Sequence, residues 1–360
     1  MPARIYLDHA ATTPLRPEAK AAMDEGFALW ANPSSPHAEG RKARAVLEGA
    51  RERIKAALGW EGELIFTSGA SEAAALALGR ARGGPRFVSA VEHDSVLTAA
   101  PVATMLPVGA DGALELAALQ QKLAGCETPV VAVQAINSET GNLQDSRKIS
   151  EIVGQAAGIY LADASQAAGK YRSSHGAAMA IVSAHKFGGP VGIGALLVRD
   201  FALLEPSGGH ERGYRRGTEN LPAALGMAAA LEACGEPYLD WDCQGLMDEF
   251  AVEVRALGGT WFADRLAAPT GYIHAVAMPG LSANAQLMRF DLHGISVSQG
   301  SACSSGTMRT SHVLRAMGVA DAEAERTIRV SFGWNTTREE VERFCEAWID
   351  MAREAGEKAA

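Results

Sequence analysis

The segment that decides the fold is SAHKFGGP, at residues 183–190. An apolar, β-branched run precedes it at residues 180–182, and a second apolar run follows at residues 193–199. This pattern predicts two strands joined by a tight turn that carries Lys186. Most lysines after a strand simply face water. A lysine in a shaped turn, however, loses hydration and has a lowered pKa, which suits it to Schiff-base chemistry.

The segment IYLADASQ, at residues 159–166, lies upstream of this turn and has the pattern of a buried strand that ends in Asp163. A lone aspartate there is equally well a turn residue or a helix N-cap. A carboxylate near a Schiff-base lysine is, however, what pyridoxal phosphate (PLP) requires. It keeps the pyridine nitrogen protonated, so that the ring can take up electrons. The two segments together therefore favour a PLP enzyme.

Five further motifs occur in order along the chain. They are YLDHAATTP (6–14), NPSSPH (32–37), FTSGASE (66–72), GGHERG with RGT (208–213 and 216–218) and SACSS (301–305). With the lysine turn, they resemble the motifs of the NifS/IscS-type cysteine desulfurases, which are class V aminotransferase-like, fold-type I PLP enzymes. The resemblance runs from Tyr6 to about Gly333, nearly the whole chain.

The resemblance implies an α/β fold with two domains. The large PLP-binding domain would span residues 13–250 and contain a mainly parallel, seven-stranded sheet flanked by helices. A smaller α+β domain would combine residues 1–12 with residues 251–360 and carry the loop with the catalytic cysteine. The chain has 360 residues, 48% of them hydrophobic, which is enough for two domains.

The motif FTSGASE predicts a strand, a glycine turn and the start of a helix, where free backbone N–H groups and the helix dipole favour an anion. Alone, it would equally be a plain strand–helix connection with Ser71 as N-cap. The resemblance makes it the PLP phosphate site, with the backbone of Ala70 and Ser71 and the Ser71 hydroxyl as donors. Ser183 and His185 are also expected to contact the cofactor. Thr218 is expected to bind the phosphate of the partner subunit, which implies a homodimer with shared active sites.

The resemblance also assigns residues around the PLP ring. His93 would lie flat over the ring and move protons, and Gln166 would bond the ring oxygen. Position 138 departs from the family pattern, because the family usually has Asn-Asn-Glu where this chain has Asn-Ser-Glu. Ser138 is kept as a predicted cofactor contact. Since serine is shorter than asparagine, Gln166 could make the ring-oxygen contact alone.

Cys303 differs from the other four cysteines in its surroundings. It lies in the small, polar segment QGSACSSGT (299–307), whereas the others have helical or strand-edge neighbours. A free cysteine is usually a small buried hydrophobe, but an exposed thiol on a polar loop suits a nucleophile. The resemblance makes Cys303 the catalytic nucleophile.

Two residues are expected, from the resemblance, to hold the substrate carboxylate. Arg329 has a planar guanidinium that suits bidentate pairing. Asn32 lies in a rigid loop with two prolines, which would otherwise be an ordinary lead-in to a helix.

The resemblance also implies the course of the reaction. L-cysteine would join PLP in place of Lys186, and Lys186 or His93 would remove its α-proton. Cys303 would then take the sulfur as a persulfide, and alanine would be released.

Composition limits the partners and the location. The formal net charge is −9, which gives no argument for nucleic-acid or anionic-membrane partners. Five widely spaced cysteines without CxxC pairs argue against a disulfide framework or a structural zinc site, and no metal is expected. The chain has neither an apolar leader nor a run of about 18 apolar residues, so the protein is expected to be cytoplasmic.

The sulfur acceptor stays open at this point. The persulfide is expected to pass to an acceptor protein for iron–sulfur cluster assembly or tRNA thiolation. Relatives that feed iron–sulfur scaffolds often have a longer C-terminal tail than this chain, which ends at Ala360. The alternatives to a cysteine desulfurase are a selenocysteine lyase, a class V aminotransferase, which needs no cysteine loop, and an inactive scaffold that binds a partner.

Overall fold

The computed structural model describes residues 4–171, 176–235, 237–239, 241–300 and 311–357. The strands are β1 (Ile5–Tyr6), β2 (Glu63–Thr67), β3 (Arg86–Ser89), β4 (Thr104–Leu106), β5 (Val130–Gln134), β6 (Ile159–Asp163), β7 (Met179–Ser183), β8 (Gly194–Val198), β9 (Thr260–Trp261), β10 (Ile273–Ala277), β11 (Ile295–Ser296) and β12 (Thr327–Ser331). The helices are α1 (Pro17–Ala28), α2 (Ala38–Leu58), α3 (Ala70–Arg80), α4 (Asp94–Ala99), α5 (Leu116–Leu123), α6 (Ser146–Gln155), α7 (Leu221–Glu232), α8 (Cys243–Ala256), α9 (Ala283–Leu292), α10 (His312–Ala316), α11 (Asp321–Ala324) and α12 (Arg338–Glu357).

Seven strands form the main sheet, in the order β2-β8-β7-β6-β5-β3-β4. The pairs β3/β4, β3/β5, β5/β6 and β6/β7 are parallel, and β8 is antiparallel to both β7 and β2. The central strands β5, β6 and β7 are buried at every position, as expected for a parallel sheet covered on both faces. The predicted mainly parallel, seven-stranded sheet is confirmed.

Helices cover both faces of this sheet. One apolar cluster packs α3 against one face through Ala73, Ala74 and Ala77. A second, larger cluster holds Ile149 and Val153 of α6 on the opposite face. The small alanines explain why α3 can lie close to the sheet, because short side chains let two elements approach.

The boundaries of α2 follow from local capping. The side chain of His37 accepts a hydrogen bond from Gly40 N at 3.2 Å, which satisfies one of the free N–H groups of the first turn. Gly59 ends the helix in the left-handed region, with φ of 62°, a conformation that glycine adopts without a steric penalty. Apolar residues recur at helical spacing from Glu39 to Leu58, so the sequence predicts this helix to within one residue.

All strands of the main sheet except β8 have their carboxyl ends at one edge. The parallel strands β5, β6 and β7 end there at Gln134, Asp163 and Ser183. Strand β2 is antiparallel to β8, which is antiparallel to β7, so β2 also ends at this edge. Ligands of open α/β sheets bind outside the carboxyl ends of the strands. The topology thus brings the start of α3, the acid at the end of β6 and the lysine turn after β7 together.

A second, antiparallel sheet of order β12-β10-β9 lies in the C-terminal part of the chain. Phe250 of α8 packs edge-on against Trp348 of α12 beside this sheet, with ring centroids 5.5 Å apart. The last helix, α12, begins with a capping box. Thr337 Oγ1 accepts from Glu340 N at 3.3 Å, and Glu340 Oε2 accepts from Thr337 N at 3.0 Å.

The N-terminal segment connects the two parts of the protein. Strand β1 pairs in parallel with β11, and further along Thr13 N donates to His185 O at 2.8 Å. The lysine turn is therefore held by a segment far from it in sequence. The proposed domain boundaries near residues 12 and 250 stay predictions. Within the described ranges, no helix has the length and apolar character needed to cross a membrane.

Candidate active site

A cavity of about 530 Å³ lies at the edge of the main sheet where β5, β6 and β7 end. Ten of the predicted site residues line it, although they come from distant parts of the sequence. They are Ala70, Ser71, His93, Ser138, Asp163, Gln166, Ser183, His185, Lys186 and Arg329. Their roles stay predictions, but the structure places all ten around one space.

Lys186 ends a short 3-10 turn, Ala184–Lys186, which directly follows β7. Its Nζ donates to Ala10 O at 2.7 Å and to Ala11 O at 2.9 Å. Two carbonyl acceptors favour the protonated amine. The N-terminal segment thus provides a defined place in which this lysine holds a proton.

The glycine after the lysine is required by close packing. Gly188 has φ of 91°, and a Cβ there would lie 2.6 Å from Cγ of Arg16. Arg16 is buried and donates from Nε to Phe187 O at 3.0 Å. The arginine therefore fixes the turn that carries Lys186, and any side chain at position 188 would displace it.

Asp163 lies at the last position of β6, opposite Gln134 in the pairing of β5 with β6. It is buried, and its Oδ1 accepts from Ser165 N at 2.9 Å. The other carboxylate oxygen has no hydrogen bond within the part of the chain that the structure describes. A carboxylate that is held through one oxygen at the wall of a cavity can accept a hydrogen bond from a ligand N–H group with its other oxygen.

Two buried polar atoms near Asp163 lack partners among the described residues. They are Ser165 Oγ and Gln166 Oε1, and both residues line the cavity. The amide nitrogen of Gln166 donates to Ala10 O at 2.8 Å, so the predicted contact of Gln166 with a ring oxygen needs a change of that bond. Unmet buried polar groups normally have a ligand or water as partner. These groups fit a polar aromatic cofactor such as PLP.

The two histidines at the cavity are held by different contacts. Nδ1 of His93 accepts from Ser95 N at 3.2 Å and lies 2.8 Å from Ser95 Oγ, which makes His93 the N-cap of α4. Nδ1 of His185 lies 3.2 Å from Thr12 Oγ1. Burial, and then the positive charge of Lys186 and other nearby cations, lowers the pKa of His185 to about 4. His185 is therefore neutral at pH 7.

The first turn of α3 forms an anion cup. Its N-cap, Gly69, has φ of 152° and no side chain to occupy the free N–H groups. A Cβ at Gly69 would meet only Ser183 Oγ, at 3.9 Å, so the space above the turn is open. Ser71 lies in the same turn. Backbone donors, two hydroxyls and the positive end of a helix fit a phosphate group.

Arg329 is buried in the cavity wall and already has partners. It donates from NH1 to Ser138 O at 2.9 Å and from NH2 to Asp8 Oδ1 at 2.7 Å. Only 3% of its side chain is exposed. Ser138 thus contributes a backbone carbonyl that orients the arginine, which is a contact that the sequence did not predict. A substrate carboxylate would share this guanidinium with Asp8.

Three predicted site residues do not line this cavity. Asn32 is exposed, and its Oδ1 accepts from Ser34 N at 2.8 Å, so its predicted contact with substrate gains no support from its position. Thr218 is exposed on the loop at 208–220, where it is accessible to another chain. Cys303 lies outside the described residues.

The described residues on either side of the cysteine segment meet at Glu139. Ser311 Oγ donates to Glu139 Oε2 at 2.5 Å. The backbone of Gly300 lies so close to the same carboxylate that a Cβ at position 300 would clash with it. Glu139 follows Ser138, which lines the cavity. Gly300 and Ser311, the described residues that flank positions 301–310, therefore lie next to the active-site wall.

Sequence reasoning missed several residues that the structure places in or beside the site. Gln134 is buried, lines the cavity and donates from Nε2 to Val91 O at 2.6 Å. Its signal was a polar residue at the end of an apolar strand, as for Asp163. Asp8 and Glu72 gave no comparable signal, because their importance comes from partners that are distant in sequence.

Comparison with known proteins agrees with this geometry. The sequence model of the family described as Aminotransferase class-V matches residues 5–344. A cysteine desulfurase of Frankia sp. is 35% identical, with 94% of this chain and 88% of the relative covered. Cysteine desulfurase IscS 1 of Archaeoglobus fulgidus is 34% identical, with 95% of both chains covered. The solved structure of a NifS-like protein from Rickettsia africae has a TM-score of 0.85 at 30% identity and covers 96% of this chain and 99% of that one.

The fold and the cavity are those of a fold-type I PLP enzyme. The chain belongs to the class-V aminotransferase family, within its NifS/IscS-type cysteine desulfurases. The family, the fold class and PLP as cofactor, which the motifs predicted, are thereby confirmed.

Proposed function

We propose that this protein removes sulfur from L-cysteine with the help of PLP, forms L-alanine, and carries the sulfur as a persulfide on Cys303. The observation that supports this most directly is the meeting of Lys186 and Asp163 at one cavity, each at the carboxyl end of a parallel strand. When bound, PLP supplies an electron sink for the bonds at the substrate α-carbon. The cup at the start of α3 would hold its phosphate, and Asp163 would keep its pyridine nitrogen protonated.

Lys186 is proposed to attach the cofactor and to move the α-proton. A proton taken by Nζ would be held by the Ala10 and Ala11 carbonyls, which accept at 2.7 and 2.9 Å. This place for the ammonium keeps the proton near the substrate until it is returned. His93 is the second candidate for moving a proton, since it lines the same cavity. Neutral His185 adds no positive charge beside Lys186.

Arg329 is proposed to hold the α-carboxylate of cysteine. Asp8 and the Ser138 carbonyl fix the guanidinium plane before substrate arrives. Because this orientation is set in advance, less side-chain entropy is lost when a carboxylate binds. Asn32 stays a further predicted carboxylate contact.

Cys303 is proposed to receive the sulfur. Its thiolate attacks the substrate sulfur, an S–S bond forms, and the substrate C–S bond breaks with its electron pair left on carbon. That carbon then takes up a proton and leaves as the methyl group of alanine. Cys303 follows Gly300 by three residues, which span at most roughly 11 Å of extended chain. Gly300, the last described residue before Cys303, contacts Glu139 beside the cavity wall, which supports this role.

Product analysis tests the proposed reaction. With PLP present, L-cysteine should be converted to alanine with one sulfur transferred per alanine, and no keto acid should form. Selenocysteine is the comparison substrate, because a selenocysteine lyase would release alanine from it in strong preference to cysteine. Keto-acid formation would indicate an aminotransferase, and no turnover of either amino acid would indicate an inactive scaffold.

We further propose that the protein is a homodimer with shared active sites, in which Thr218 bonds the PLP phosphate of the partner subunit. A neutral hydrogen bond contributes about 0.5–1.5 kcal/mol and one to a charged group about 1.5–3 kcal/mol, so Thr218→Ala should weaken PLP binding roughly tenfold. Mixed dimers of Thr218→Ala and Lys186→Ala chains should then regain activity at limiting PLP. One site of each mixed dimer carries both changes, and the other carries neither.

The measurement is alanine formation before and after subunit exchange, with exchange verified by differently tagged chains. Each variant exchanged with itself is the control. If proven exchange brought no gain over the mean of the two parents, Thr218 would act within its own subunit, and the shared site would be excluded.

The sulfur acceptor and the cellular location are also proposals. We infer that the persulfide passes to an acceptor protein, either an iron–sulfur scaffold or a tRNA-thiolation protein, without direct contact with nucleic acid. A reducing cytoplasm is the proposed location. The four cysteines that the structure describes are all free thiols, which agrees with that location.

A further inference from the structure

The anion cup contains a negative charge of its own. Glu72 lies in the first turn of α3, one residue after Ser71, and lines the cavity. Its Oε2 accepts from Ser68 N at 2.5 Å. Burial alone would raise the pKa of Glu72, but the hydrogen bonds from Ser68 and the Arg215 guanidinium outweigh burial and hold this pKa below its usual range. Glu72 is therefore a carboxylate at neutral pH.

A carboxylate in this position opposes a phosphate group. A phosphate monoester carries a charge of about −1.5 to −2 at pH 7. Like charges a few ångströms apart repel strongly at the effective dielectric of a partly buried site. The cup needs a compensating cation near Glu72 to hold such an anion well.

Arg215 supplies that cation. Its Nε donates to both oxygens of Glu72, at 3.1 and 3.4 Å. The two side chains are only 22% and 34% exposed, so solvent screens the pair incompletely. Arg215 does not itself line the cavity, so it acts on a ligand through Glu72.

The loop that carries Arg215 is fixed by a buried ion pair. Glu211 accepts from Arg51 NH1 and NH2 at 2.8 and 3.0 Å, and from Phe66 N of β2 at 2.8 Å. The side chains of Arg51 and Glu211 are 2% and 1% exposed. Glu211 has φ of 48°, a left-handed conformation that only a strongly determined structure maintains. Arg215 is thus held at Glu72 before any ligand arrives.

We propose that Arg215 is a positioning residue for the cofactor: it neutralises Glu72, so that the first turn of α3 accepts the phosphate of PLP. This inference rests on the proposed phosphate cup and adds a charge balance that brings the loop at 208–220 into the site. The loop thereby contributes through its own subunit, whatever Thr218 contributes to the partner.

The test compares the binding of PLP with that of pyridoxal, which lacks the phosphate, by equilibrium dialysis of the full-length protein freed of cofactor. Arg215→Gln should weaken PLP binding about tenfold and change pyridoxal binding less than about twofold. The double variant Arg215→Gln/Glu72→Gln should regain PLP affinity to within about threefold of the unchanged protein, because both charges of the pair are then absent. Arg212→Gln is the matched control, since Arg212 lies on the same loop as Arg215 but pairs with Glu63 of β2, at 2.6 Å, instead of with Glu72. It should keep full PLP affinity.

Three results would overturn the inference. One is unchanged PLP affinity in Arg215→Gln, and another is failure of Glu72→Gln to restore that affinity. The third is an equal loss for pyridoxal, which would mean general damage to the loop. If the unchanged protein bound pyridoxal as tightly as PLP, the phosphate cup itself would be refuted, and with it this part of the proposed function.

Discussion

Lys186→Ala is expected to lower the release of alanine from L-cysteine by about 10³-fold or more, even with PLP in excess. Lys186 is the one lysine among the described residues that line the cavity. In the proposed reaction, its loss removes both the attachment point of the cofactor and the amine that accepts the α-proton. Alanine is measured by chromatography, and the visible absorbance of the purified protein reports cofactor attached covalently to Lys186, which should also be lost.

Lys148→Ala is the control for this variant. Lys148 is an exposed surface lysine, with 63% of its side chain accessible, and its replacement should leave both readouts unchanged. Full alanine production by Lys186→Ala would show that another group does the chemistry, and the assignment of Lys186 would fail.

Cys303→Ala is expected to abolish the protein persulfide and to lower alanine formation by about 10²-fold or more, while PLP still binds. The thiolate is the nucleophile, so a cysteine that stays protonated cannot replace it. Burial raises the pKa of Cys243 to about 12 and also raises that of Cys345 and of Cys234. The persulfide is trapped by alkylation after reaction with L-cysteine and mapped by mass spectrometry.

Cys126→Ala provides the matched comparison, because Cys126 is a free, partly exposed thiol. This variant should keep the persulfide at position 303 and retain full activity. Persulfide found on Cys126 or on a buried cysteine, with alanine formation intact in Cys303→Ala, would contradict the role of Cys303.

The two variants separate different steps of the reaction. Lys186→Ala should stop the chemistry at the α-carbon, whereas Cys303→Ala should leave that chemistry possible and stop the removal of sulfur. An α-proton exchange assay in deuterated water distinguishes them. Exchange should persist in Cys303→Ala and disappear in Lys186→Ala.

The placement of Arg329 shows how predicted and unpredicted features combine at one residue. Its position in the cavity wall agrees with the role predicted from the motif. Its partners, Asp8 and the Ser138 carbonyl, were not predicted, because one lies near the start of the chain and the other is a backbone atom. Asn32, in contrast, does not line the cavity, and its contact with substrate stays a prediction.

The sequence by itself determined the features that depend on neighbouring residues. The lysine turn, the acid at the end of β6, the caps of α2 and the capping box of α12 are short-range patterns, because hydrogen bonds and backbone conformation over a few residues decide them. The motif order was enough to predict the family and therefore the cofactor.

Only the tertiary structure decided which distant residues form ion pairs or contact the same carboxylate. The pairing of Arg215 with Glu72 and of Arg329 with Asp8, and the meeting of Gly300 and Ser311 at Glu139, join residues that are far apart in the chain. Such contacts depend on the order of the strands and on where each loop returns to the sheet. No local pattern contains that information, since a charged side chain on a polar loop has the same sequence appearance whether it faces water or a buried partner.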